Sequence, residues 1–262
     1  LEYEDFSRDF LKGTDPVGMT GCIDSEKVHF ISTFLGEKKV QLVVTYNEQR
    51  AREIEEDYKL FCSQVYVIPP RDLIFFSADL QGNAIIAERM KAFAALYQNE
   101  AKVIITTMDA LMSAAVPFEQ LMSHVIKLKE GDELDLEKLK HDLTVMGYER
   151  VGRVEEPGQF TVHGGIADVY PLTMEVPVRI ELWGDEIDTI RCFEPQSQRS
   201  MDQIECVSVF PAAEVIADDT ARRRAVGMIQ NELESQLAVF KKAKEPDKAK
   251  RLREETNRIL EA

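Results

Sequence analysis

PGQFTVHGGIADVYPLTMEVPVRIELWGDEIDTIRCFEPQSQRS, residues 157 to 200, sets short alternating apolar and polar runs around Gly164-Gly165 and Gly184-Asp185. Such pairs supply the positive φ angles that tight hairpin turns demand, so the stretch predicts an antiparallel meander with two hairpins. From Val178 to Trp183 a period of two sends Val178, Ile180 and Leu182 to a core face. Arg179, Glu181 and Trp183 go to the opposite face. That second face carries the only tryptophan of the chain beside an arginine, with a carboxylate between them. An exposed Trp near an Arg is a composition found at the centre of protein interfaces. The same residues also fit a Trp183 packed under a neighbouring loop with Arg179 along its ring.

A length of 262 residues suggests one large or two modest units. The hydrophobic fraction of 44% and charged fraction of 30% are those of an ordinary soluble protein. With no run long enough to span a bilayer and no basic-then-apolar leader, the expectation is a cytoplasmic chain without a membrane partner. Cys22, Cys62, Cys192 and Cys206 lie far apart with no CxxC spacing, which argues against a zinc site or a disulfide framework. The formal net charge of -15 disfavours direct nucleic-acid binding, because a duplex repels a surface of its own sign unless basic residues gather on one face. Arg222-Arg223-Arg224 and the lysines from Lys241 onward are interleaved with acids, as on a solvated helix face.

Upstream of the meander the chain alternates as an α/β layer does, with buried parallel strands reading as apolar runs. Val40 to Thr45, Val65 to Ile68 and Lys102 to Thr107 read as strands, with His124 to Leu128 as a fourth. Asn47 to Leu60, capped by Asn47, and Gly82 to Tyr97 read as helices, as do Leu1 to Leu11 and Leu134 to Met146. Ile204 to Phe210 reads as a last strand closed by Pro211. From Ala217 the sequence is helical and charged, with a break near Pro246 and too few apolar residues to fold alone. It is expected to pack back on the first layer, making the meander an insertion. The division expected is 1–127 for the α/β layer, 128–211 for the inserted β-rich domain and 212–262 for the helical segment.

The loop GTDPVGMTGCIDS, Gly13 to Ser25, looks like a nucleotide loop, but a phosphate-binding P-loop needs GxxxxGK[ST]. Counted from Gly13, the lysine position is Met19. Counted from Gly18, past Gly21, it is Asp24, followed by Ser25. In the second register an acid would face the phosphates and repel them. Asp185-Glu186 is the nearest approach to a DExx box, but it sits at a hairpin turn and not at the end of a buried strand. Neither a catalytic triad nor a metal cluster can be named, so no catalytic residue, metal or cofactor is expected.

Several of these features, in order and with matching spacing, resemble the UvrB-homology module that bacterial transcription-repair coupling factors share with the excision-repair protein UvrB. They are Gly147-Tyr148 with Arg150, PGQF, TVHGGIADVYP, RIELWGDEIDTIRCFE and Gln198-Arg199-Ser200. The resemblance implies a RecA-like, P-loop-NTPase-like layer, degenerate at Gly18, Gly21, Asp24 and Ser25, with an inserted antiparallel domain that binds UvrA. By position, the family's contact arginine falls on Arg179, its aromatic on Trp183, and a second contact arginine on His163. That last position departs from the family, since a neutral imidazole lacks the bidentate fork of a guanidinium. Arg179 and Trp183 are then expected to project side by side from one sheet. UvrB also carries a long tyrosine-rich DNA hairpin between the positions of Pro70 and Ala87. Here that interval is short, with Phe75 and Phe76 as its aromatics. The resemblance implies a recruitment module that does no chemistry, in a parent protein that reaches RNA polymerase and DNA, and works as an ATP-driven translocase, through other domains. The rival expectations are an ATP-dependent helicase half or UvrB-type damage-verification enzyme using Gly13 to Ser25, and a purely structural module.

Overall fold

In the computed structural model the described residues are 16, 18–35, 40–71, 80–113, 115–216, 219–243 and 246–261. The expected helix over Leu1 to Leu11, the Gly13 end of the loop, and Phe75 and Phe76 lie outside them. The chain is a mixed α/β protein with a parallel sheet, an antiparallel-dominated sheet and a two-stranded ribbon.

The parallel sheet has the order β1-β3-β2, from β1 (Gln41–Thr45), β2 (Val65–Ile68) and β3 (Val103–Thr107). All five residues of β3 are buried, as expected of a central strand covered on both faces. Helix α1 (Asp24–Ser32) and α2 (Glu48–Lys59) cover one face, where Val28, Ala51, Ile54 and Tyr58 pack on Val65, Val67, Val103 and Ile105. The Asn47 side chain caps α2 by accepting from the Arg50 N–H at 2.8 Å, as its position before the helix predicts. Helix α3 (Leu80–Tyr97) lays Ala92 and Ala95 on Ile104 from the other face. Two short helices, α4 (Met108–Met112) and α5 (Phe118–Met122), lead to β4 (Ile126–Lys129).

The chain then forms α6 (Leu136–Val145), capped by the Asp135 carboxylate at the Glu137 and Lys138 N–H groups. Next come β5 (Glu149–Arg150), β6 (Gln159–His163), β7 (Ile166–Val169), β8 (Val178–Trp183), β9 (Glu186–Phe193) and β10 (Ser200–Gln203). Their order in the sheet is β10-β9-β8-β7-β6-β5. The two hairpins turn at Gly164-Gly165 and Gly184-Asp185 with φ of 60° at Gly164 and 68° at Gly184. β5 pairs parallel with β6, a two-residue contact no alternation announces. β11 (Cys206–Val209) returns to pair antiparallel with β4, Ile126 opposite Val209. This β4–β11 ribbon and α6 cover the inner face of the sheet, closing a core of Leu139, Leu143, Phe160, Val162, Val178, Ile180 and Ile190. His124, expected in the fourth strand, sits in the turn before it.

At the junction Gly147 holds φ at 90°, and a Cβ there would lie 2.6 Å from the Ala213 Cβ. The Met146 carbonyl accepts from the Ala212 and Ala213 N–H groups at 2.9 and 3.1 Å, and the Tyr148 hydroxyl donates to the Phe210 carbonyl at 2.7 Å. Beyond it, α7 (Asp219–Ala243) and α8 (Pro246–Glu261) pack against one another, each the other's principal neighbour among the described elements.

Candidate docking face of the antiparallel sheet

The residues of β6 to β10 that do not face the core form an outer face, and the register fixes who sits beside whom. Thr161, Asp168, Arg179, Arg191 and Gln203 are neighbours in one row across five strands. One step along lie His163, Ile166, Glu181 and Thr189 in the next row. Trp183 closes the face at the β8–β9 turn, opposite Glu186.

Trp183 is 84% exposed and His163 is exposed, with Ile166 partly so. Nothing packs over the indole as a loop would, so the buried alternative for Trp183 does not hold. Arg179 behaves differently. Its Nε and Nη2 donate to the two carboxylate oxygens of Asp168, each at 2.8 Å, and its guanidinium carbon lies 4.8 Å above the centre of the Phe193 ring. The Gln198 side-chain oxygen caps it at 3.5 Å, itself held because the Gln198 amide donates to the Val154 and Pro195 carbonyls. The hydrogen bonds and charge of Asp168 raise the Arg179 pKa further, so the guanidinium is locked in its charged form. The expectation that Arg179 and Trp183 project side by side is therefore corrected. At about 3.3 Å per residue, four steps of strand separate them by about 13 Å. The cation has also folded down onto its own sheet while the indole stands in solvent.

Two residues of the face escaped the sequence reading. Asp168 was legible as an outward residue, because counting outward from the Gly164-Gly165 turn puts it across from Thr161; its place beside Arg179 follows from the separate β7–β8 register. Arg191, directly opposite Arg179 on β9, was legible only once the register of the second hairpin was known. Its Nε is buried and has no hydrogen-bond partner.

Away from this face, an open groove lies between the start of α6 and the β8–β9 turn, floored by Leu134, Leu136 and Leu182 and rimmed by Glu133, Asp135, Glu137 and Asp185. Its carboxylates give the Trp183 turn a negative flank, whereas the Arg179 and Arg191 row is the cationic side. Asp24 and Ser25, read as loop positions, are the first residues of α1. The Glu26 carboxylate accepts from the Ile23 N–H at 3.2 Å, and Gly21 holds φ at 83° just before it. Gly18 stands in open space. Among the described residues no group of three His, Cys, Asp or Glu is placed to hold a metal, and no helix is long and apolar enough to cross a membrane.

Residues 126–214 match the family described as the UvrB interaction domain. This part of the chain is similar to the UvrB interaction domain. The match begins with β4 and ends just past β11, so it takes in the ribbon, α6 and the whole antiparallel sheet. The chain is 34% identical over 231 residues to the transcription-repair-coupling factor of Staphylococcus haemolyticus, covering 87% of this chain and 19% of that protein. The protein of the same name from Bacillus subtilis is 29% identical over 232 residues, 87% of this chain and 20% of its own length. That of Staphylococcus aureus strain Mu50 is 32% identical over 208 residues, 78% of this chain and 18% of its length. The similarity thus runs beyond the UvrB interaction domain into the parallel layer, and the chain spans about a fifth of the relatives it matches.

Proposed function

We propose that this chain is the UvrA-docking part of a transcription-repair coupling factor, recruiting nucleotide excision repair to stalled RNA polymerase and doing no chemistry itself. The observation that carries this reading is the 84% exposure of Trp183 at the edge of the outer face of the UvrB interaction domain. A free indole that size is left in water at a cost, and an interface recovers it by filling an apolar pocket. His163 and Ile166 flank the indole's end of the face, and Arg179 holds the middle.

The division into 1–127, 128–211 and 212–262 belongs to this proposal. So does a degenerate RecA-like origin for the first part, which the β1-β3-β2 parallel order with helices on both faces supports. There the non-functional phosphate loop is Gly18, Gly21, Asp24 and Ser25. Carboxylates at Asp24 and Glu26 stand where a helix N-terminus would otherwise receive an anion. ATP-driven movement, contacts to RNA polymerase and to DNA, and a cytoplasmic setting belong to the longer parent protein.

Titration of UvrA into the purified chain tests the reading. Wild type binds, and Trp183→Ala weakens binding by about 2 kcal/mol, roughly thirtyfold. Unchanged affinity in that variant rejects the docking face. Calorimetric binding of ATP with magnesium at micromolar concentration would instead favour a working nucleotide loop.

A further inference from the structure

We propose that the groove between the start of α6 and the β8–β9 turn is a second contact for the docked partner, and that it takes an aliphatic segment of UvrA flanked by Lys or Arg. This rests on the reading that Trp183 meets UvrA. It goes beyond that reading by carrying the contact around the end of the sheet, off the outer face, and by giving the chemistry of what lies there.

The groove holds about 710 Å³, and its floor is Ile126, Leu134, Leu136 and Leu182. These four aliphatic side chains are half-buried and pack at the margin of the main core. Backbone hydrogen bonds keep its two walls together. The Leu134 N–H donates to the Asp185 carbonyl at 2.8 Å and the Ile187 N–H to the Asp132 carbonyl at 2.9 Å, which ties the segment before α6 to the β8–β9 hairpin. A groove formed in advance spares its occupant the cost of ordering it. The apolar floor left in water is area that an aliphatic side chain recovers on docking.

The rim sets the sign of the partner. Lys140 pairs with Glu137 at 2.5 Å, Lys138 pairs with Asp142 at 3.1 Å, and the Asp135 carboxylate caps α6. Glu133 and Asp185 are exposed, and among the described residues neither carboxylate has an ion pair or hydrogen bond. They stand on the two walls beside the Leu134–Asp185 backbone contact, and the one lysine that lines the groove is Lys138, already neutralised by Asp142. A cation that settles there meets two uncommitted carboxylates, whereas an anion meets their repulsion.

Position links the groove to the indole. Leu182 and Trp183 are consecutive on β8, so the period of two sends one into the groove and the other to the outer face. Between the two surfaces lies the turn at Gly184, which has no side chain to block passage. A partner that encloses Trp183 therefore reaches the floor of the groove by passing over one turn.

The test is a calorimetric titration of UvrA into the whole chain at three salt concentrations, with urea midpoints as the control for folding. The variants are Glu133→Gln with Asp185→Asn at the groove, Glu133→Lys with Asp185→Lys at the same two positions, and Trp183→Ala. Glu232→Gln with Glu234→Gln on α7 makes the same change of net charge away from the groove. The neutralised groove pair is expected to bind about fivefold more weakly with a flatter dependence on salt, the reversed pair more weakly still, and the α7 pair as wild type does. All four residues are exposed, so urea midpoints are expected to stay in place. If the groove pairs bind within twofold of wild type, or more tightly, while Trp183→Ala is impaired, the docking face stands and the groove assignment is overturned. Equal weakening by the groove and α7 pairs also overturns it, because net charge alone would then account for the loss. If Trp183→Ala and the groove pairs all bind as wild type does, the docking face itself is wrong.

Discussion

Trp183 and Arg179 occupy the same strand face yet are held by different forces. The indole has little of the fold resting on it, so Trp183→Ala is expected to leave the free energy of unfolding within about 0.5 kcal/mol of wild type. The guanidinium of Arg179 neutralises Asp168, a carboxylate that is only 6% exposed. Arg179→Ala would strand that charge and is expected to cost about 2 to 3 kcal/mol in urea denaturation. A binding defect in Arg179→Ala is therefore a folding defect until the urea curve says otherwise. The alternation of β8 was enough to place Trp183 and Arg179 outward. It could not give the direction of the guanidinium, because Phe193 and Gln198, which trap it, arrive from the next strand and from the loop after it.

Secondary structure was legible wherever an element had one wet and one dry face, or none wet at all. Val65–Ile68 and the β3 run are of this kind, and the Asn47 cap marked the start of α2. β10 was not legible, because Ser200–Gln203 is exposed throughout and its pairing with β9 is a matter of where the chain returns. In the parallel layer, Tyr58 of α2 is buried with its hydroxyl donating to the Gln41 side chain at 3.1 Å. Burial penalises the phenolate and pushes the Tyr58 pKa from 10.0 up to about 12. The folded chain then keeps a proton that the unfolded chain releases. The contribution is full below about pH 10 and is lost as the pH rises toward about 12. Urea midpoints measured between those values are expected to fall, and Tyr58→Phe is expected to flatten that part of the decline.

At the scale of the whole molecule, the parallel layer and the segment that follows the antiparallel sheet are joined by charge as well as by chain. Glu214, just past β11, pairs with Arg89 of α3 and with Arg71 beyond β2, the Arg71 Nε reaching it at 2.8 Å. Arg89 is 3% exposed and also donates to the Pro69 carbonyl at 2.5 Å. Removing the carboxylate leaves a guanidinium buried without its counter-charge, so Glu214→Ala is expected to cost about 3 to 5 kcal/mol, read as a lowered urea midpoint. No periodicity predicts this link, since its three residues are scattered over more than a hundred positions of sequence and meet only when the domain is in place.

The pairing of β4 with β11 has a consequence for how such a domain travels. Because Ile126 lies opposite Val209, the first strand of residues 126–214 and the last one are hydrogen-bonded neighbours, roughly 5 Å apart. A recipient protein needs only a surface loop with feet that close together to accept the block as a cassette. A graft of residues 126–214 into an unrelated scaffold should carry the β8–β9 turn with Trp183 at its edge, read as retained exposure of the indole in its fluorescence.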